Sequence, residues 1–246
     1  KKGVVPPRRD LELEALAEIL RNERHITCHS YVQSEINMLM SVADSLGFRI
    51  NTFTHILEGY KLADKMAKRK IGGSAFADWW AYKMEVMEAI PYNAALMARE
   101  GVTVAINSDD AEMARRLNQE AAKTITFGGM SDIEALKMVT VNPAKLLHLD
   151  HRIGSIKEGK DADLVLWNHH PLSIYARPEY TLIEGAIYFS RIDDQQRQEE
   201  IAAERNRLIQ KSLQAKAGGA ETQPLQSKRQ RMWHCEDIIG VHAEHE

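Results

Sequence analysis

The sequence predicts an α/β fold in which parallel strands alternate with helices. Three observations predict it. Short β-prone runs recur at intervals of about 20 to 30 residues, each followed by a segment with apolar residues at helical spacing. Glycine closes several of those helices. Three of the strands end on histidine or aspartate. Four such units in roughly 100 residues suit half of an eight-fold βα barrel, or a doubly wound sheet. In both folds chemistry collects at the C-terminal ends of the strands.

Asp10 is an N-cap candidate for a first helix, 10–21, with Leu13, Leu16, Ala17 and Leu20 on one face. HITCHS, residues 25–30, reads as a strand. A helix from Val32 to Leu46 follows, with Ile36, Leu39, Met40 and Ala43 at helical spacing and Gly47 closing it. FRINTFTH is the second strand and ends at His55. LEGYKLADKMAKRK is the next helix, and IGGSAF a short strand or loop. NAALMAREG is a helix after Pro91, stopped by Gly101. VTVAI is the fourth strand, and a helix runs from Ala111 to about Lys123.

The pattern changes after Ser131. SDIEALKMVTVNPAKLL reads as two short helices, the first capped by Ser131 with Glu134 three residues on. The break between them is expected at Asn142-Pro143. GSIKEGKDADLVLWN and YTLIEGAIYFS read as short strands with glycine turns. Residues 191–216 are rich in Gln, Glu and Arg. Their thin apolar stripe, Ile201, Leu208, Ile209 and Leu213, suits a surface helix, and disorder is expected from Gly218 onward. The expected domains are 1–148, 149–190 and 191–246.

Composition narrows the function. The 246 residues, 44% hydrophobic and 27% charged, are enough to bury a core. A net charge of -3 gives no reason to expect nucleic acid. No apolar run approaches the roughly 20 residues of a membrane span, and no signal-peptide pattern opens the chain. Cys28 and Cys235 are too few and too far apart for a disulfide framework, so a reducing cytoplasm is the expected compartment. The opening, KKGVVPPRRD, lacks an initiator Met and reads as the middle of something longer.

The stretch AINSDDAE, residues 105–112, poses the functional question. Asp109 and Asp110 stand at the mouth of a hydrophobic strand. Either they cap the next helix, or they hold something that needs negative oxygen. His29 and His55 end two other strands. Two imidazoles and a carboxylate on one rim are a normal ligand set for Zn²⁺ or a similar divalent ion. Each residue alone also has a bland reading: a hydrogen-bonded strand-end histidine, or a helix cap. Trp79 and Tyr82, in the aromatic stretch DWWAYKMEVMEAIPYN, could form a substrate wall with Asp78, or could pack against each other. Glu58 and Lys61 suit a surface pair, and His169 and His170 should face solvent. His234, Cys235, His242 and His245 match no trusted zinc spacing.

FTHILEGYKLADKM, INSDDAE, ALKMVTVNPAKLLHL and RIGSIKEGKDADLVLWNHHPL, in that order, resemble the amidohydrolase superfamily. The similarity is to its imidazolonepropionase-like, metal-dependent branch, over about residues 10–190. The resemblance implies a partial (β/α)8 TIM-type barrel, about strands 5 to 8, with part of a small β-sandwich on the C-terminal side. It implies a hydrolase of C–N bonds in amides, cyclic imides or amidines, with deamination as an alternative chemistry. It implies one or two divalent metal ions, zinc first among them, and a small-molecule substrate. His55 matches the sixth-strand ligand, and Asp109 the eighth-strand ligand and proton shuttle. Relatives carry His-x-His on the fifth strand. Here Thr27 takes the first place and only His29 remains, so His29 is the substitute ligand. Thr27 also marks the rival reading, a non-catalytic scaffold of the same fold. Strands 1 to 4, with their H-x-H pair, are absent. This half alone is therefore expected to be inactive. Its open edges invite association, including homo-oligomerisation.

Overall fold

In the computed structural model, Gly3 and residues 8–223 are described. Four parallel strands form the main sheet: β1 (Ile26–His29), β2 (Ile50–Thr54), β3 (Gly72–Ala75) and β4 (Val104–Ile106). Their spatial order is their sequence order. A doubly wound sheet would show a reversal of strand order, and this sheet has none. Sequential parallel order is what neighbouring strands of a βα barrel share.

Helices follow the strands as the spacing requires. α1 (Leu11–Leu20) precedes β1, and Asp10 accepts from the N–H groups of Glu12 and Leu13. Its apolar face is not covered: Leu13, Leu16 and Leu20 are all more than half exposed. α2 (Gln33–Leu46) buries Ile36, Met40 and Ala43, and Gly47 closes it at φ 76°. Its N-cap, Val32, has no side-chain oxygen to offer. The buried Glu58 carboxylate, after β2, accepts from Gln33 N at 3.1 Å and so supplies the cap from another segment. Lys61 Nζ donates to the same carboxylate at 3.0 Å. The expected surface pair is therefore half of a buried helix cap.

Three boundaries differ from the sequence reading. Residues 57–70 begin with a 3₁₀ turn, Gly59–Lys61, before α3 (Ala63–Arg69). α4 (Asn93–Arg99) is as expected. The segment after β4 splits into α5 (Ala111–Ala114) and α6 (Leu117–Gly128), because Arg116 leaves helical geometry at φ -133°, ψ 33°. The next pair is α7 (Asp132–Lys137) and α8 (Val141–Leu146). Their break lies at Thr140, not at Asn142-Pro143. Pro143 sits in the first turn of α8, where its missing N–H costs no helical hydrogen bond.

Phe53, Ile36, Met40, Met66, Met97 and Val104 lead the core between sheet and helices. β3 is buried at every residue, and its glycines leave room for Leu146 and Met97 to close on the strand. A second cluster holds Tyr31, Leu57, Phe76, Val86 and Ala89. β5 (Leu164–Trp167), β6 (Pro178–Ile183) and β7 (Ala186–Ser190) form a separate antiparallel sheet. Leu172, from the segment between β5 and β6, joins the main core.

Gly154 makes the approach to that second sheet tight. It holds φ 84°, and a Cβ there would lie 2.7 Å from Ala144 Cβ, 3.0 Å from Val141 Cα and 3.1 Å from Thr140 O. Two of those neighbours are backbone atoms of the α8 turn. Gly154→Ala is expected to cost about 2–4 kcal/mol in urea denaturation, from backbone strain plus overpacking. A change under about 0.5 kcal/mol, the range of surface substitutions, would show that the turn yields freely.

The chain divides into two compact units, Lys1–Asp194 and Gln195–Glu246. α9 (Arg191–Ala217) is exposed along its length, as its polar composition predicts. Gly218–Gln223 are non-helical and exposed. Most of the segment read as disordered, with His234, Cys235, His242 and His245, lies outside the described residues. None of the described helices is long and apolar enough to cross a membrane.

Candidate active site

The register of the sheet brings the strand ends together. His29 pairs with Thr54, Thr54 with Ser74, and Ala75 with Ile106. His29 is the last residue of β1, His55 follows β2, Phe76 follows β3, and Asn107 follows β4. All four stand at the same end of a parallel sheet. Alternation puts Thr27 and His29 on one face of β1, both exposed, with Ile26 and Cys28 half-buried on the other.

His55 is the centre of the cluster. Its φ is 59°, in the left-handed region. Histidine tolerates that region better than most residues, but it still costs on the order of 1 kcal/mol or more. The chain turns sharply there, and Ile56 N donates to Ser74 O at 3.1 Å just beyond. The His55 ring stacks on Phe76 with centroids 4.7 Å apart. It tilts against His29, also at 4.7 Å. Asn107 Nδ2 lies 3.0 Å from His55 Nδ1. His29 in turn meets the edge of Tyr31 at 4.7 Å. The sequence reading missed Phe76, Tyr31 and Asn107. Phe76 and Asn107 each follow a strand directly, which was the available signal.

Electrostatics follow from this packing. Burial pushes the His55 imidazole below its usual pKa. Positive potential from His29 lowers it further, and Asp109 opposes both. The two aspartates of the opening question divide the work. Asp110 is the N-cap of α5 and accepts from Glu112 N at 2.8 Å and Met113 N at 3.1 Å. Asp109 takes no part in that cap and remains exposed. Asp110→Ala should cost about 1 kcal/mol, within the 0.5–2 kcal/mol range of lost caps. Thermal unfolding would read it, and an unchanged midpoint would deny Asp110 that role.

The aromatic loop after β3 reaches the cluster through Phe76. Phe76 and Trp79 centroids lie 5.7 Å apart, and Trp79 meets Tyr82 edge-on at 5.0 Å. Trp79 Nε1 donates to Met113 Sδ of α5 at 2.9 Å. Asp78 is not free for a substrate: Lys123 of α6 donates to it and, at 2.7 Å, to the buried Glu120. His169 and His170 are exposed, as expected.

His29, His55 and Asp109 have the donor chemistry a divalent ion takes. Among the described residues, however, no group of three or more His, Cys, Asp or Glu side chains is arranged to hold a metal ion. The donors therefore fit a contribution to a metal centre, not a complete one.

Four parallel strands in sequential order carry imidazoles and a carboxylate at their C-terminal ends, the end at which βα-barrel enzymes build their sites. The amidohydrolase family model matches residues 91–194. An amidohydrolase, tasK, of Hapsidospora irregularis is 32% identical over 186 residues, which span 73% of this chain and 19% of that protein. The structure of an amidohydrolase from Thermotoga maritima MSB8 superposes with a TM-score of 0.69 at 31% identity, covering 77% of this chain and 50% of that one. An adenosine deaminase from Xanthomonas campestris with bound zinc shares the fold at 20% identity and a TM-score of 0.55, covering 73% and 48%. Residues 91–194 thus match the amidohydrolase family, and the chain is similar to amidohydrolases over about three quarters of its length. It spans half or less of the length of these relatives.

Proposed function

We propose that this chain carries the C-terminal half of a metal-dependent hydrolase of C–N bonds other than ordinary peptide bonds. The bond is that of an amide, a cyclic imide or an amidine. The observation that carries this reading is the rim cluster: His55 in a left-handed conformation, wedged between His29, Phe76 and Asn107, with Asp109 near and free of capping. His55, Asp109 and His29 would be this chain's ligands to a divalent ion, with Zn²⁺ as the expected metal, as in the zinc-bound deaminase of the same fold. Further ligands would come from residues this chain does not contain. The bound metal would acidify a water molecule and polarise the substrate carbonyl or amidine carbon.

The chain's own residues supply the proton path and the wall. Asp109 accepts the proton of the attacking water as its oxygen bonds to the carbon. It then returns that proton to the leaving nitrogen as the C–N bond breaks, so the carboxylate ends as it began. Burial shifts His55 toward the neutral ring, the form in which imidazole binds metal. Phe76, Trp79 and Tyr82 form a chain of ring contacts that begins at His55, which supports Trp79 and Tyr82 as the wall that would bind an apolar part of the substrate.

The scaffold reading has its own observation. Thr27 stands on the same exposed face of β1 as His29, at the place where the resemblance implies a histidine. The test is a panel of amides, cyclic imides and amidines given to a polypeptide extended to the length of the matched relatives, with zinc and with chelator. Chelator-sensitive hydrolysis is the expected result. Ammonia release from an amino-purine or amino-pyrimidine would assign deamination instead. A folded, extended protein without metal or turnover would favour the scaffold.

A further inference from the structure

Asn107 has a place in this site that the capping and ligand arguments leave unused. Its backbone N–H donates to Ala75 O at 3.0 Å, so the sheet fixes its Cα. Its side chain crosses to His55, and its amide stands 3.0 Å from Nδ1. What the amide presents to Nδ1 decides which ring nitrogen carries the proton. An amide N–H aimed at Nδ1 demands a bare Nδ1 and places the proton on Nε2. An amide oxygen aimed at Nδ1 demands Nδ1–H and leaves Nε2 bare.

The two states differ by a half-turn of the carboxamide, which exchanges oxygen and nitrogen in nearly the same space. With Nδ2 toward the ring, Asn107 Oδ1 is buried and has no hydrogen-bond partner among the described residues. A buried acceptor with no donor in reach has lost its water without a replacement hydrogen bond. The half-turn brings that oxygen to Nδ1–H and satisfies it, and carries the amide N–H groups to the place the unpartnered oxygen held. Phe76 on one face and His29 on another hold the ring, so the imidazole is not free to turn away instead.

We propose that Asn107 is a positioning residue that sets the tautomer of His55: its carboxamide oxygen holds Nδ1–H and leaves Nε2 as the bare nitrogen. That is the form in which the ring can ligate a metal ion. An outer partner of this kind fixes both ring orientation and proton placement. The inference rests on the reading of His55 as a ligand, but it can be tested without metal.

The measurement is imidazole 15N and 13C NMR on the metal-free chain at roughly pH 9, well above an ordinary imidazole pKa. The His55 signals are identified by their loss in His55→Gln. Wild-type protein should show the Nδ1–H form. Asn107→Asp should keep it, because a carboxylate can only accept. Asn107→Leu, similar in size and without polar atoms, should move His55 toward Nε2–H. In the extended polypeptide, Asn107→Leu should weaken zinc binding by about 10–100-fold and Asn107→Asp should restore it. An Nε2–H form in wild type, or one unchanged by Asn107→Leu, overturns the proposal. If Asn107→Leu fails to fold, agreement or disagreement between wild type and Asn107→Asp decides it. An Nδ1–H protein whose extended form binds no zinc would uphold the positioning role and sink the ligand role.

Discussion

Asp109→Asn, made in a polypeptide extended to the length of the matched relatives, should lower kcat by about 10²–10⁴-fold, the range for a lost general acid–base. The same substitution should leave the thermal midpoint nearly unchanged, because Asp109 is exposed and takes no part in capping α5. Asparagine keeps the size and can still accept a hydrogen bond, but it cannot take a proton from water. Asp110→Ala is the internal control, one residue away. It removes the cap received by Glu112 N and Met113 N, so stability should fall and turnover should survive. The two variants thus separate along two axes, rate and stability. Loss of activity in Asp110→Ala with full activity in Asp109→Asn would invert the assignment and dismiss Asp109 as the proton carrier.

That division of labour shows what was legible in the sequence. Asp110 directly precedes Ala111, and a carboxylate at that place reads as an N-cap. The role of Asp109 came from the resemblance, which implied a ligand and proton shuttle at that place. The alternation of strands and helices was legible too, because apolar periodicity and glycine stops mark each βα unit, but it left open the spatial strand order that the sheet shows. The helix breaks were not. Arg116 and Thr140 leave helical geometry without proline or glycine to announce it, since tertiary packing sets those turns. The cap of α2 was invisible for a similar reason: Glu58 lies 25 residues from the N–H it satisfies. Phe76 and Asn107 were missed because neither is titratable, and their roles exist only once four strand ends meet. The expected inward face of α1 failed because Leu13, Leu16 and Leu20 find no covering element among the described residues.

The 246-residue chain by itself should bind zinc weakly and turn over none of these substrates. The argument is a count of donors and of water. A catalytic zinc takes three protein ligands and keeps a fourth position for water. His29, His55 and Asp109 share the rim, yet no three such side chains among the described residues are arranged as a metal-holding group. His29 and Asp109 are also exposed, so both stay solvated, and the Coulombic pull on a cation is weakened. Even an outer-shell partner is worth about 10–100-fold in metal affinity, so an absent ligand should cost at least that. Preorganised donors in a water-excluded site supply most of such catalysis, and an open rim provides neither. Equilibrium dialysis with metal analysis should find well under one zinc per chain, while the extended polypeptide should retain at least one through gel filtration. His55→Ala in the extended protein should then lose metal and turnover together while remaining folded. Stoichiometric zinc and hydrolysis in the 246-residue chain would show that its own residues complete the site, and would relocate the ligands.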